Sequence, residues 1–142
     1  MKQLNYISLF SGAGVGCYGF KEAGFECKAT NELLKKIIKF QKFNGICSED
    51  KSYIEGDITN QNIKDQIIKL AGNDLDVLIA TPPCQGMSVA NHKKNNEIKR
   101  NSLVTESINL IKTIQPNYFI LENVRSFLKT ICTDIEGDNL PI

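Results

Sequence analysis

Short apolar runs alternate with longer amphipathic stretches along this chain, a pattern that predicts strand, loop and helix in repeating order. Residues 5–10 read as a buried strand that runs into Ser11-Gly12-Ala13-Gly14-Val15-Gly16, then a helix to about Ala23, stopped by Gly24. A second strand over 26–30 ends at Asn31-Glu32, and 33–43 reads as a helix with Lys35, Lys36, Lys39 and Lys42 on its outer face. A short strand at 52–55 precedes Gly56-Asp57, and Ile63, Ile67, Ile68 and Leu70 fall at helical spacing within 63–71. The run Val77-Leu78-Ile79-Ala80 suits a central strand covered on both faces, ended by Pro82-Pro83, which cannot continue a ladder. The polar stretch 89–101 reads as a loop, 102–114 as a helix stopped before Pro116, 118–121 as a fifth strand, and 124–131 as the start of another helix.

Such alternation implies an α/β fold, a mostly parallel sheet with helices on both faces. Ligands of these sheets bind beyond the carboxyl ends of the strands. Each unusual residue of this chain directly follows a strand: the glycines, Glu32, Asp57, Cys84 and Glu122. Five strand ends should therefore meet at one crevice.

Composition narrows the class. The 142 residues are 42% apolar and 23% charged, an ordinary globular balance with room for one core. There is no apolar run of about 18 residues and no signal segment at the start, so the expectation is a cytoplasmic protein without membrane partners. The net charge of +1 is low for a chain that grips DNA unaided, because phosphate neutralisation supplies most of that affinity. The five cysteines are odd in number and lack a Cys-x-x-Cys pair, which argues against a disulfide framework or a metal site. Cys17, Cys27, Cys47 and Cys132 read as inert thiols in apolar or helical settings.

Cys84 is different. It follows two of the four prolines in the chain, at a strand end. A rigid Pro-Pro turn fixes a side chain where a nucleophile would be needed, although a structural cysteine in a turn has the same spacing. Glu122 lies 38 residues later at the next strand end, where partial desolvation would suit a proton donor; capping the following helix is the plainer role. Gly12, Gly14 and Gly16 let a ligand approach the backbone and a helix N-terminus, without the dinucleotide fingerprint spacing. Glu32, 18 residues after Gly14, could accept from ribose hydroxyls or sit at a helix start. Asp57 could accept from an adenine amino group or cap a turn. Together these favour a nucleoside cofactor without a pyrophosphate, for which S-adenosylmethionine fits better than NAD.

The motifs Phe10-Ser11-Gly12-Ala13-Gly14, Pro83-Cys84-Gln85 and Glu122-Asn123-Val124 occur in the order of the C5-cytosine-specific DNA methyltransferases, which this chain resembles over nearly its whole length. Asn31-Glu32, Gly56-Asp57-Ile58 and Arg100-Asn101-Ser102-Leu103 resemble further motifs of that family. The resemblance implies a Rossmann-like S-adenosylmethionine-dependent methyltransferase fold and no metal. Phe10, Gly12, Gly14, Glu32, Leu33, Asp57, Ile58, Pro83 and Leu103 would hold the cofactor, with Leu33 stacked on adenine. Cys84 would attack C6 of cytosine, Glu122 would hold the N3 edge, and Asn123 would support that loop. Gln85, Ser88, Lys93, Lys94 and Arg100 would touch double-stranded DNA, with the 89–101 loop closing over a flipped base. The only histidine, His92, reads as a loop residue.

Val15 departs from a glycine common in the family, with Gly16 next to it. Family members continue beyond the equivalent of Ile142 with a Gln-x-Arg-x-Arg element, a target recognition domain and final motifs that complete the cofactor pocket. The expectation is thus an N-terminal catalytic portion of a bacterial restriction-modification enzyme, incomplete at its C-terminus and inactive alone. A complementary C-terminal subunit could supply the rest. A tRNA cytosine-5 methyltransferase and a non-catalytic cofactor- or DNA-binding subunit are the alternatives.

Overall fold

The computed structural model describes residues 2–83, 97–124, 132–133 and 139–140, without the side chains of 97–101, 132–133 and 139–140. In chain order its elements are β1 (Asn5–Leu9), α1 (Val15–Glu22), β2 (Glu26–Glu32), α2 (Lys35–Phe43), a 3-10 turn (Asp50–Ser52), β3 (Tyr53–Glu55), α3 (Gln61–Ala71), β4 (Val77–Ala80), α4 (Glu97–Ile114), β5 (Tyr118–Leu121), and a short antiparallel pair, β6 (Cys132–Thr133) with β7 (Asn139–Leu140). The first five strands form one parallel sheet in the order β3-β2-β1-β4-β5. The chain moves outward from β1 to β3, then returns to the other side of β1 for β4 and β5. The topological switch point therefore lies between β1 and β4.

Strand side chains alternate between two cores, as a period of two requires. Ile7, Leu9, Leu78 and Ala80 join Ile67 and Ala71 of α3 and Leu110 of α4. Tyr6 and Val77 join Cys17 of α1, with Ile46 and Cys47 after α2 and partly buried Phe20 and Ile79. Helices thus cover both faces, and the predicted sheet is present with the four helices predicted before residue 115. Among the described residues, no helix is long and apolar enough to cross a membrane.

Some boundaries differ from the sequence reading. Helix α2 begins at Lys35, because Leu33 and Leu34 are still outside it and Leu34 is extended at the N-cap. Helix α3 begins two residues earlier than read, at Gln61, where Asn60 caps it by accepting from the Asn62 amide at 2.9 Å. Helix α4 starts at Glu97, so the last part of the polar stretch read as a loop is helical. Glu97, Lys99 and Arg100 are good helix formers, and their polarity had masked that propensity. The predicted helix over 124–131 falls, after Val124, outside the described residues.

The amino ends of β1, β4 and β5 are tied together by Asp76, which is only 5% exposed. Its Oδ2 accepts from the Asn5 amide at 3.0 Å, and its own amide donates to Asn5 Oδ1 at 3.1 Å. Oδ1 accepts from Asn117 Nδ2 at 3.1 Å and from Lys2 Nζ at 3.4 Å. The Asn5 amide above all, then Lys2 and Asn117, hold the Asp76 carboxyl below its usual pKa. A depressed folded pKa stabilises the fold above the unfolded value and loses that contribution as pH falls through the folded one. The melting temperature should therefore drop on acidification below about pH 4. Asp76→Asn should melt several degrees lower at pH 7 and show a smaller acid loss; thermal melts of both proteins from pH 7 to pH 3 check this.

Candidate functional site

The registers set the strand ends side by side. Leu9 pairs with Asn31 and with Ala80, Asn31 with Ile54, and Ala80 with Leu121. The loops that follow leave from one edge of the sheet and enclose a cavity of about 460 Å³, within the range of small-molecule sites. Its wall is Phe10 after β1, Asn31 to Leu34 at the end of β2, Gly56 to Ile58 after β3, Thr81 and Pro83 after β4, and Leu103 of α4. Seven of the nine residues expected to hold a cofactor are in this wall: Phe10, Glu32, Leu33, Asp57, Ile58, Pro83 and Leu103.

Gly12 and Gly14 are not in it; they act through the backbone. The Gly12 amide donates to Glu32 Oε2 at 3.0 Å, which orients the carboxylate. Glu32 Oε1 accepts from the Leu34 amide at 3.1 Å, so Glu32 also meets the start of α2. The ligand-binding and helix-start readings of Glu32 are thus compatible, because each carboxylate oxygen has a further lone pair to offer. Gly14 sits at φ +86° before α1, where an added Cβ would press on Ile46 Cγ1 at 3.0 Å. Its glycine is a requirement of packing and left-handed geometry.

Phe10 is itself left-handed, at φ +56°, a strained state for an aromatic residue. Thr81 Oγ1 donates to the Phe10 carbonyl at 3.0 Å, and the Ser11 amide donates to the Asn31 carbonyl at 3.0 Å. These bonds hold the turn that aims the ring at the cavity. Asp57 Oδ1 accepts from the Thr59 amide and hydroxyl, both at 2.9 Å, which makes it the turn residue that was the plainer expectation, as well as a wall residue. Gly56, at φ +151°, brings its backbone within reach of α3; a Cβ there would lie 2.5 Å from Ile63 Cδ1.

Gln41 was not singled out in the sequence, although it organises the glycine loop. It is completely buried in α2. Its Oε1 accepts from Thr30 Oγ1 at 2.7 Å, and its Nε2 donates to Ser11 Oγ at 2.8 Å and to the Gly12 carbonyl. A polar residue inside a lysine-rich helix carries no motif. Asn31 was noted as part of a motif, and its Nδ2 donates to the carbonyls of Ile54 and Gly56, fastening the β3 turn.

On the other side of the switch point, Asn123 Nδ2 donates to the Pro82 carbonyl at 3.3 Å, and the Glu122 amide donates to the Ala80 carbonyl at 3.0 Å. The Pro-Pro turn and the Glu122-Asn123 turn are therefore bound to each other. The Glu122 side chain is exposed, which differs from the desolvated carboxyl expected from sequence. Among the described residues β5 is the last strand of the sheet, and Tyr118, Phe119 and Ile120 are exposed along it too. Cys84, Gln85, Ser88, His92, Lys93 and Lys94 lie outside the described residues, and Arg100 is described only as part of α4.

The wall suits the adenosine half of a cofactor: an apolar floor from Phe10, Leu33, Ile58, Pro83 and Leu103, with the carboxylates of Glu32 and Asp57 at its edge. Leu33, 60% exposed, has a free face for a planar ring.

The chain is 39% identical to the type II methyltransferase M1.HgaI of Avibacterium volantium, across 90% of this chain and 36% of that protein. It is 34% identical to the type II methyltransferase M.AquIA of Picosynechococcus, across 86% and 49%. The chain thus spans between about a third and a half of the length of these two relatives. A solved E. coli prophage-encoded structure described as a DNA modification methyltransferase aligns with a TM-score of 0.61 at 29% identity, across 89% of this chain and 33% of that one. A SAM-dependent methyltransferase from Agrobacterium tumefaciens, at 17% identity and a TM-score of 0.57, shares the fold. The family model for C-5 cytosine-specific DNA methylases matches residues 4–133. The chain belongs to the C-5 cytosine-specific DNA methylase family.

Proposed function

We propose that this chain is the cofactor-binding and catalytic part of a type II DNA cytosine-5 methyltransferase acting on double-stranded DNA in bacterial restriction-modification. The carrying observation is that the ends of β1 to β4 meet at one cavity whose wall includes Pro83, the residue directly before Cys84. When bound, S-adenosylmethionine supplies the electrophilic methyl group. Glu32 accepts from the ribose hydroxyls, Asp57 from the adenine amino group, and Leu33 packs on the adenine face.

Aromatic C5 of cytosine is a poor nucleophile, and the residues beyond β4 and β5 change that. Cys84 Sγ adds to C6 while Glu122 holds N3 and supports its protonation, which turns the ring into an enamine with electron density at C5. After methylation, loss of the C5 proton and expulsion of the Cys84 thiolate restore the aromatic ring. Asn123 braces the turn by holding the Pro82 carbonyl. The target base has to leave the duplex to reach this site. Gln85, Ser88, Lys93, Lys94 and Arg100 contact that DNA, and the recognition surface belongs to the further length that the relatives have. In a cytoplasmic enzyme of this kind, that surface also carries the basic charge that this chain lacks.

The test is transfer of a labelled methyl group from S-adenosylmethionine by the protein in its full reading frame. Incorporation is expected in duplex DNA and not in tRNA. Glu32→Ala should weaken binding of S-adenosylhomocysteine by about 10- to 100-fold in calorimetry, the loss of charge-assisted hydrogen bonds. Labelling of tRNA alone, or unchanged cofactor affinity in that variant, would refute the corresponding part of this reading.

A further inference from the structure

The site at the carboxyl ends of the strands leaves Cys27 and Cys47 unused. Cys27 stands near the amino end of β2 and Cys47 follows α2, 20 residues further on. Their Sγ atoms are 2.7 Å apart, closer than ordinary nonbonded sulfur contact and a small adjustment from the ~2.05 Å of a disulfide bond. Both are free thiols, as is neighbouring Cys17 in the same core.

Both sulfurs belong to buried residues, yet Cys27 borders two surface clefts. One, of about 120 Å³, has Glu26, Lys28, Ser48 and Ser52 around it; the other, of about 350 Å³, has Gln3, Lys21, Phe25 and Gly45. A molecule the size of water needs roughly 10–15 Å³ of such space, so the clefts beside Cys27 have room for a small oxidant. Cys47 borders neither of these clefts. The two residues are almost equally buried, and it is the bordering clefts that favour Cys27 as the thiol that meets the oxidant and Cys47 as the one that resolves it.

We propose that Cys27 and Cys47 are a peroxide-oxidisable dithiol, a modification site at the opposite end of β2 from Glu32. The Cys27 thiolate attacks one oxygen of hydrogen peroxide; an S–O bond forms, the O–O bond breaks, and the leaving hydroxide takes up a proton as water. Cys47 sulfur then attacks the Cys27 sulfenic acid; the S–S bond forms, the S–O bond breaks, and the oxygen leaves as water with the Cys47 proton. Two thiols lose two electrons and one peroxide becomes two waters. The two sulfurs share a hydrogen bond in which either can donate, so one thiol stabilises the other as a thiolate. A dithiol reductant reverses the modification.

The bridge would clamp the start of β2 to the segment after α2. Thr30, which bonds to Gln41 and through it meets the glycine loop, also interacts with the Cys47 sulfur. Oxidation is thus expected to brace the framework below the cofactor pocket. The experiment exposes the native-cysteine protein to hydrogen peroxide, alkylates it under denaturing conditions and maps the peptides by mass. The expected product is a Cys27–Cys47 cross-link, 2 Da lighter than the two thiol peptides together and lost with dithiothreitol. In C47S the expected product is instead a Cys27 sulfenic acid, trapped by dimedone. Oxidation of the wild-type protein should raise the melting temperature by roughly 5–10 °C, as closing a loop of this length restricts the unfolded chain. Recovery of both residues as free thiols after Cys84 has been oxidised, or a cross-link of Cys27 to Cys17, would overturn the proposal. The wild-type peptide map decides the matter even if C47S does not fold.

Discussion

Replacing Cys84 with alanine should lower methyl transfer by at least about 10⁴-fold, with cofactor and DNA affinities within a few fold of wild type. The size of the effect follows from the chemistry: without addition at C6, C5 has too little electron density to take a methyl group. Cys17, Cys27 and Cys47 are 2%, 6% and 7% exposed, belong to the α1 face of the core, and are not in the cavity wall. Cys84, in contrast, directly follows Pro83, a residue of that wall. Duplex DNA carrying 5-fluorocytosine provides the direct measurement, since fluorine at C5 cannot leave as a proton does and the adduct persists. Wild-type protein should form a complex stable to denaturing electrophoresis, and Cys84→Ala should form none. A persistent adduct in the variant would assign the nucleophile elsewhere.

The residues that made this prediction possible differ in how far they could be read from the chain. Strand β4 was legible because a central parallel strand is covered on both faces and this one is apolar throughout, whereas β1 buries the polar Asn5 and Ser8 as well and was placed by the glycine loop that follows it. The cavity was legible for the same reason: once the strands are placed, their carboxyl ends have to meet, and the residues after them form its wall. What stayed hidden depends on partners distant in sequence. Gln41 is an ordinary polar residue in an amphipathic helix until Gly12 and Ser11, some 30 residues earlier, accept its amide protons. Asp76, directly before β4, carries no motif, and its ties to Asn5 and Asn117 arise only when β1, β4 and β5 align. The Cys27–Cys47 spacing matches no metal or redox motif, because β2 and the segment after α2 bring the pair together.

If Glu122 engages N3 as proposed, that interaction is made in the transition state and its loss should appear in the rate. The residue is aligned by its backbone, through the Ala80 carbonyl, and by the bond from Asn123 to Pro82. Glu122→Gln preserves those contacts and the side-chain shape while removing the group that supports a proton at N3. The expected result is a fall in kcat of about 10²- to 10⁴-fold, the usual contribution of a positioned acid or base, with little change in melting temperature or DNA affinity. Because protonation at N3 accompanies thiolate addition at C6, the rate of 5-fluorocytosine adduct formation should fall by a similar factor. The adduct should nevertheless still appear, since Cys84 is intact. An unchanged adduct rate combined with weakened DNA binding would show that Glu122 holds the duplex and takes no part in activating the base.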